Sequence, residues 1–307
     1  MQYAPIALFT YNRADHTQLA VESLLKNIEA SESELFIFSD GPKNEKAEEG
    51  VKANREYIYT ISGFKKVIIT ERPENWGLAK SLIAGITEIV NRYGRVIVVE
   101  DDLILSPYFL QYMNEALEKY EDDDRVASIS AFLNPINCKA PETFFLRYFA
   151  CWGWATWKRG WDLLIDDNRV LLKRLRWKKN DFNIGGSGPF YGILYCDKVG
   201  LNDSWAVRFY ASQFLAGKLQ LFPGHTLVVQ SGTDGTGTHC VNPDNKFSQM
   251  QLYMQPIELD DIPVLENADM YKAYSRFYMR GRTRNGLRDL IDRLKSFVRR
   301  LLGIDYR

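Results

Sequence analysis

Between Arg95 and Leu105 an apolar run, Val96, Ile97, Val98 and Val99, leads directly into Glu100, Asp101 and Asp102. A near-continuous β-branched run suits a strand covered on both faces, as at the parallel centre of an α/β sheet. Ligands of such sheets gather at the carboxyl ends of the strands, which is where these acids would stand. Three adjacent carboxylates repel one another and raise each other's pKa, so they need a cation or hydrogen-bond donors beside them. A divalent ion is the simplest answer. Mg²⁺ or Mn²⁺ prefers hard oxygen ligands, keeps one or two protein carboxylates, and shares the rest of its shell with water and phosphate oxygens. That expectation carries with it a nucleotide diphosphate as substrate. The alternative is a solvated acidic turn ahead of a helix, with Asp102 near that helix's N-terminal end.

The stretches before the acids alternate in period. Ala4–Tyr11 reads as a strand, Asp15–Ile28 as a helix, Leu35–Ser39 as a strand, Lys43–Thr60 as a polar-faced helix and Lys66–Thr70 as a further strand. Gly77–Tyr93 has apolar residues at helical spacing and is stopped by Gly94 just ahead of the acidic strand. After the acids, a helix is expected from Pro107 to Tyr120 and a strand over Val126–Ser130. This β-α-β order argues for a mostly parallel α/β sheet flanked by helices, with right-handed crossovers.

From about Phe132 the texture is aromatic and irregular, with Trp152, Trp154, Trp157, Trp161 and Trp177 set among turn residues. No linker rich in Gly, Ser or Pro precedes it, so the second half is expected to be built on the first sheet. The division that follows is 1–131 as the nucleotide-binding half, 132–265 as an aromatic-rich acceptor half and 266–307 as a C-terminal basic amphipathic helical tail. Gly185–Gly188 and Ser231–Thr238 read as flexible loops, the second a candidate lid over a phosphate-bearing ligand. In Asn285–Leu302 an apolar helical stripe is accompanied by Arg288, Arg293, Lys295, Arg299 and Arg300, a pattern that suits an anionic membrane surface or, alternatively, a helix docked on the protein's own core.

Composition narrows the function classes. In 307 residues the 39 Lys and Arg balance the 39 Asp and Glu, and the basic concentration is read at the C-terminus, which disfavours nucleic acid as a partner. The four cysteines form no Cys-x-x-Cys pair and are read as reduced thiols. A strand pattern that begins at Ala4 leaves no room for a signal peptide, and no apolar run approaches the length that spans a bilayer, so the expected location is cytoplasmic and peripheral to the inner face of the membrane.

Tyr11-Asn12-Arg13 ends the first strand and Ser39-Asp40-Gly41 the second, on the same sheet edge as the acids, so an arginine, a lone aspartate and three clustered acids could share one crevice. Together with Asn75-Trp76-Gly77-Leu78 and Val99-Glu100-Asp101-Asp102-Leu103, this order of motifs resembles the nucleotide-sugar half of GT-A glycosyltransferases. The Glu-Asp-Asp form is similar to that of the N-acetylglucosaminyltransferase I family and of bacterial sugar transferases of capsule and O-antigen clusters. The likeness covers about the first 130 residues. It implies a Rossmann-like GT-A sheet, Mn²⁺ or Mg²⁺ on Asp102, donor ribose and sugar on Glu100 and Asp101, the base near Asp40, and the nucleotide near Arg13.

In the second half, Asn202-Asp203-Ser204-Trp205 is similar to the segment of that family whose acid deprotonates the acceptor, which makes Asp203 the candidate general base; the other reading is a helix N-cap ahead of Ala206–Leu215. Gly235-Thr236-Gly237-Thr238-His239 follows the strand Thr226–Gln230 and resembles the late loop of bacterial relatives, which implies His239 as a candidate ligand of the metal or the diphosphate, against an ordinary polar histidine. Cys151-Trp152-Gly153-Trp154 is expected to wall the sugar pocket through Trp154, with core packing as its rival. The resemblance implies an inverting, metal-dependent transfer from a nucleotide diphospho-sugar, UDP-linked by likeness, to a saccharide acceptor carried on a polyprenyl diphosphate. A sugar nucleotidyltransferase and a non-catalytic sugar-binding protein of envelope assembly are the alternatives.

Overall fold

A computed structural model describes residues 3–231, 247 and 249–279. His239, Cys240, the 232–238 part of the expected lid and the stretch Asn285–Leu302 lie outside the described residues. The strands are β1 (Ile6–Thr10), β2 (Glu34–Ser39), β3 (Lys66–Glu71), β4 (Arg95–Glu100), β5 (Leu103–Leu105), β6 (Val126–Ser130), β7 (Thr143–Leu146), β8 (Trp154–Trp157), β9 (Leu219–Pro223) and β10 (Val228–Gln230). The helices are α1 (Ala14–Leu24), α2 (Glu45–Ile58), α3 (Leu78–Tyr93), α4 (Phe109–Lys119), α5 (Lys158–Trp161), α6 (Asn168–Leu175), α7 (Lys179–Phe182), α8 (Phe190–Lys198) and α9 (Trp205–Leu215).

One sheet of eight strands runs in the order β3-β2-β1-β4-β8-β6-β9-β7, mixed but mostly parallel, with helices against it. The pairing directions set β8 and β7 against the other six strands. The carboxyl ends of β1, β2, β3 and β4 therefore meet at one edge, with Thr10 level with Ser39, Ser39 level with Glu71, and Phe9 level with Glu100. Every residue of β1 and the run Val96–Val99 of β4 are buried, as strands covered on both faces must be. Strands from both sides of residue 131 share this sheet, because β8 is inserted antiparallel between β4 and β6.

The helix ahead of the acidic strand is held close. The rings of Phe9 and Phe38 stack with centroids 5.1 Å apart, and a Cβ at Gly85 of α3 would come within 2.9 Å of both rings, so only glycine lets the helix approach the sheet here. The helix ends at Gly94, whose φ of 78° is the left-handed cap that glycine favours, and β4 starts at the next residue. The helix expected from Pro107 to Tyr120 is present over Phe109–Lys119, and ahead of it Leu103–Leu105 forms an unexpected short strand paired antiparallel with β10. Glu100 thus ends β4, and Asp101 and Asp102 occupy the turn between two strands instead of the start of a helix. A further helix over 268–279 lays Met270, Ala273 and Tyr274 into the core.

Candidate active site

Parallel register carries β1 and β4 to the same edge, and the chain past each strand is then tied to the other. The Asp101 amide donates to Phe9 O at 3.1 Å, extending the ladder by one bond. Arg13 follows as the residue before α1, and its carbonyl accepts from the Thr17 amide and hydroxyl, each at 3.0 Å. From that fixed backbone the guanidinium turns back on the acids: Nη2 donates to Asp101 Oδ1 at 2.6 Å and to Asp102 Oδ2 at 3.0 Å. Its other terminal nitrogen, Nη1, is buried and has no acceptor among the described residues. A buried guanidinium nitrogen without a partner costs free energy, which an oxygen acceptor would relieve.

The far wall comes from β10, which sequence periodicity does not tie to the acids. The Ser231 amide and hydroxyl donate to Asp102 O at 2.7 and 3.1 Å, and Gln230 Nε2 reaches Asp102 Oδ2 at 3.4 Å. Ser231 Oγ also lies 2.8 Å from His16 Nδ1 on α1. Gln230, Ser231 and His16 are additions to the expected set; only the antiparallel pairing of β5 with β10 shows them.

Charge is concentrated here. Burial raises the Glu100 pKa to about 8, with Asp102 and Asp101 adding to the rise and Arg13 opposing it. Burial likewise lifts Asp101 to about 6 against the pull of Arg13. For Arg13, burial works against the cation, but the two aspartates reverse that and leave its pKa above the ordinary value. The Cys151 thiol is pushed up by burial and then by the Glu100 charge, so it is unreactive and stands beside this acid.

Asp101 and Asp102 thus close on one arginine with Glu100 beside them, a cluster of hard oxygens in which the raised Glu100 pKa marks the lack of a second cation among the described residues. Among the described residues no three His, Cys, Asp or Glu side chains surround a common metal position. A divalent cation would fit here in the manner usual for Mg²⁺ or Mn²⁺, on one or two carboxylates with the remaining shell from water and phosphate.

The raised pKa of Glu100 has a sign that can be measured. Its folded value of about 8 lies above the ordinary 4.5, so between those values the folded chain holds a proton that the unfolded chain has released. Stability from this group is complete below pH 4.5 and is lost as pH rises through 8. With metal chelated, the melting temperature should be higher at mildly acidic pH than at mildly basic pH, by roughly 4 °C for a loss of about 2 kcal/mol. Glu100→Gln should flatten that slope, and an equally steep slope in the variant would refute the assignment.

Asp40 has a different place from the one expected. Its Oδ1 accepts from the amides of Gly41 and Trp76 at 3.0 and 2.8 Å, and its Oδ2 from Asn75 Nδ2 and the Gly77 amide at 3.1 and 2.9 Å. Four bonds fill the usual capacity of a carboxylate. Asp40 therefore shapes the loop ahead of α3 and does not stand open to a base. The loop itself comes so close that a Cβ at Gly41 would lie 2.5 Å from the Glu74 carbonyl carbon. Next to it the Trp76 ring lies between Arg72 Cζ, 4.0 Å from its centroid, and Lys80 Nζ, 4.3 Å away.

Trp154 also departs from expectation. It is 0% exposed and packs against Phe149, Trp205 and Phe209, because β8 runs through the centre of the sheet. The half-buried tryptophan of that motif is Trp152, against Phe132 and Phe247.

Asp203 stands in a separate groove of about 600 Å³ lined by Ala79, Lys80 and Ile83 of α3 with Asp166, Asn168 and Arg208. Its side chain is 66% exposed and Oδ1 lies 3.0 Å from Arg208 Nη1. The helix cap beside it is Ser204, whose hydroxyl accepts from the Val207 amide. Arg208 also meets Asp166 and the buried Asp197, both at 2.7 Å. The structure brings Arg13, Glu100, Asp101 and Asp102 together, while Asp40 is bonded to the loop ahead of α3 and Asp203 shares a groove with α3.

The family described as "Glycosyl transferase family 2" matches residues 6–179, the segment that holds β1 to β4, the acids and β8. Among curated proteins no sequence matches the chain. Among solved structures the chain is similar to S. aureus TarS, with 13% identity and a TM-score of 0.29 over 41% of this chain and 21% of that one. The chain thus spans about a fifth of that protein's length.

Proposed function

Because the chain belongs to glycosyl transferase family 2, and so is a glycosyltransferase acting on a nucleotide-sugar donor and an acceptor, we propose a metal-dependent, inverting transfer to a lipid-linked saccharide. The observation that carries this is the closure of Arg13 on Asp101 and Asp102 with Nη1 buried and unpartnered among the described residues. A guanidinium in that state fits an anionic oxygen of a diphosphate.

Asp102, with Glu100 beside it, would hold Mn²⁺ or Mg²⁺, which when bound neutralises charge on a departing diphosphate. The chain's own residues do the rest. Arg13 fixes the acids and offers Nη1 to the donor. Gln230 and Ser231 hold the Asp102 turn against movement as charge develops. Asp203 takes the proton of the acceptor hydroxyl, whose oxygen bonds to the anomeric carbon as the bond from that carbon to the diphosphate oxygen breaks, with inversion. Arg208 positions Asp203 for this role through the 3.0 Å contact of Nη1 with Oδ1. His239 is proposed as a further ligand on the metal. The acceptor is a saccharide on a polyprenyl diphosphate in bacterial surface polysaccharide synthesis, and the donor base is uridine.

A thermal-shift panel of nucleotide diphospho-sugars with and without Mn²⁺ tests this. One sugar nucleotide should stabilise the protein only with metal, and Asp102→Ala should remove the shift. Equal shifts in the variant would overturn the metal reading.

A further inference from the structure

Charge in this chain is balanced overall, yet one surface is not. Asp167 caps α6 by accepting from the Arg169 and Val170 amides at 2.7 and 3.3 Å. The helix then buries Leu171, Leu172 and Leu175, at the spacing of one inward stripe. The opposite side and the turn after it present Arg169, Lys173, Arg174, Arg176, Lys178 and Lys179, all exposed. None of the six forms an ion pair among the described residues. At their centre Trp177 is 85% exposed, with Arg176 Cζ 4.5 Å from its ring centroid. This is a second basic concentration, distinct from the C-terminal one, and zero net charge conceals it.

The geometry points to this face, 169–179, as a docking surface for an anionic phospholipid membrane. Unpaired Lys and Arg around an exposed Trp combine charge attraction with a ring whose preferred depth is the headgroup layer. A single-stranded nucleic acid could also use the cations and stack a base on Trp177, and the test below separates it from the membrane. Among the described residues no helix is long and apolar enough to cross a membrane, so contact through a surface is the mode available to them. The placement also has a use. Asp166 and Asn168, at the start of α6, line the groove that holds Asp203. A membrane against α6 would bring a lipid-borne acceptor beside that carboxylate, an extension that rests on the acceptor reading above, whereas the docking surface does not.

The test is co-sedimentation of the full chain with vesicles of phosphatidylcholine alone or mixed equally with phosphatidylglycerol. Binding should need the anionic lipid and be reversed by high salt. The variant Arg174→Gln/Arg176→Gln/Lys178→Gln should lower the partition coefficient roughly a hundredfold, at about 1 kcal/mol per cation. Brominated lipid should quench tryptophan emission in the native chain and not in Trp177→Phe. All these positions are exposed, so an unchanged melting curve certifies the fold. Native-like binding by the triple variant would assign any membrane contact elsewhere and overturn the proposal, as would binding to single-stranded RNA as tight as to the vesicles with no quenching of Trp177 by brominated lipid. Loss of vesicle binding with transfer to a soluble acceptor retained would support the surface independently of the catalytic reading.

Discussion

Asp102→Ala is expected to lower kcat/KM for sugar transfer by about a thousandfold while leaving the fold intact. Loss of one group that stabilises a developing oxyanion typically costs 10²- to 10³-fold, and loss of the proposed metal would add to it. The structure separates this effect from unfolding. The Ser231 bonds that hold the turn go to the Asp102 carbonyl, which alanine keeps. Arg13 still has Asp101 at 2.6 Å. Glu100 loses the largest of its neighbouring negative charges, so the melting temperature should hold or rise. The measurement is release of nucleoside diphosphate under saturating Mn²⁺ alongside a melting curve. More than a tenth of native activity in a folded variant would contradict the role given to Asp102.

The second large effect concerns Arg208. It is 8% exposed at the side chain and meets Asp197, which is 3% exposed, together with Asp166 and Asp203. Removing one partner of a buried pair leaves the other charge uncompensated, at a cost of roughly 3–5 kcal/mol. Arg208→Met should therefore depress the melting temperature by roughly 5–8 °C, and adding Asp197→Asn should restore part of it. Asp203→Ala should act oppositely. Its carboxylate is 66% exposed, so its pair with Arg208 is worth at most about 1 kcal/mol of stability, while transfer should fall by about a hundredfold or more if it is the base. A large stability loss with normal turnover in Asp203→Ala would reverse the assignment.

What the sequence made legible follows from range. The alternation of β1 to β4 with α1 to α3 depends on local period and on punctuation such as Gly94, and the acids at the end of β4 depend on one continuous run. The residues that depend on distant partners were not legible. Leu103–Leu105 became a strand because Val228–Gln230 pairs with it from far along the chain. Trp154 entered the core because β8 wedges between β4 and β6, and nothing in an aromatic, turn-rich stretch announces that insertion. Asp40 had the chemistry to meet a ligand, but four donors from the chain itself claim its carboxylate. The exposed Trp177 was masked by a balanced total charge and by its likeness to the other tryptophans of that half.

Anomalous diffraction at the manganese edge, from crystals soaked with Mn²⁺ and a nucleotide diphospho-sugar, bears most directly on the central claim. The account predicts one peak within bonding distance of an Asp102 carboxylate oxygen, with a diphosphate oxygen on the same ion and Arg13 Nη1 donating to the nucleotide. An ordered nucleotide with no manganese at Asp102, and Arg13 still closed on both aspartates, would contradict it.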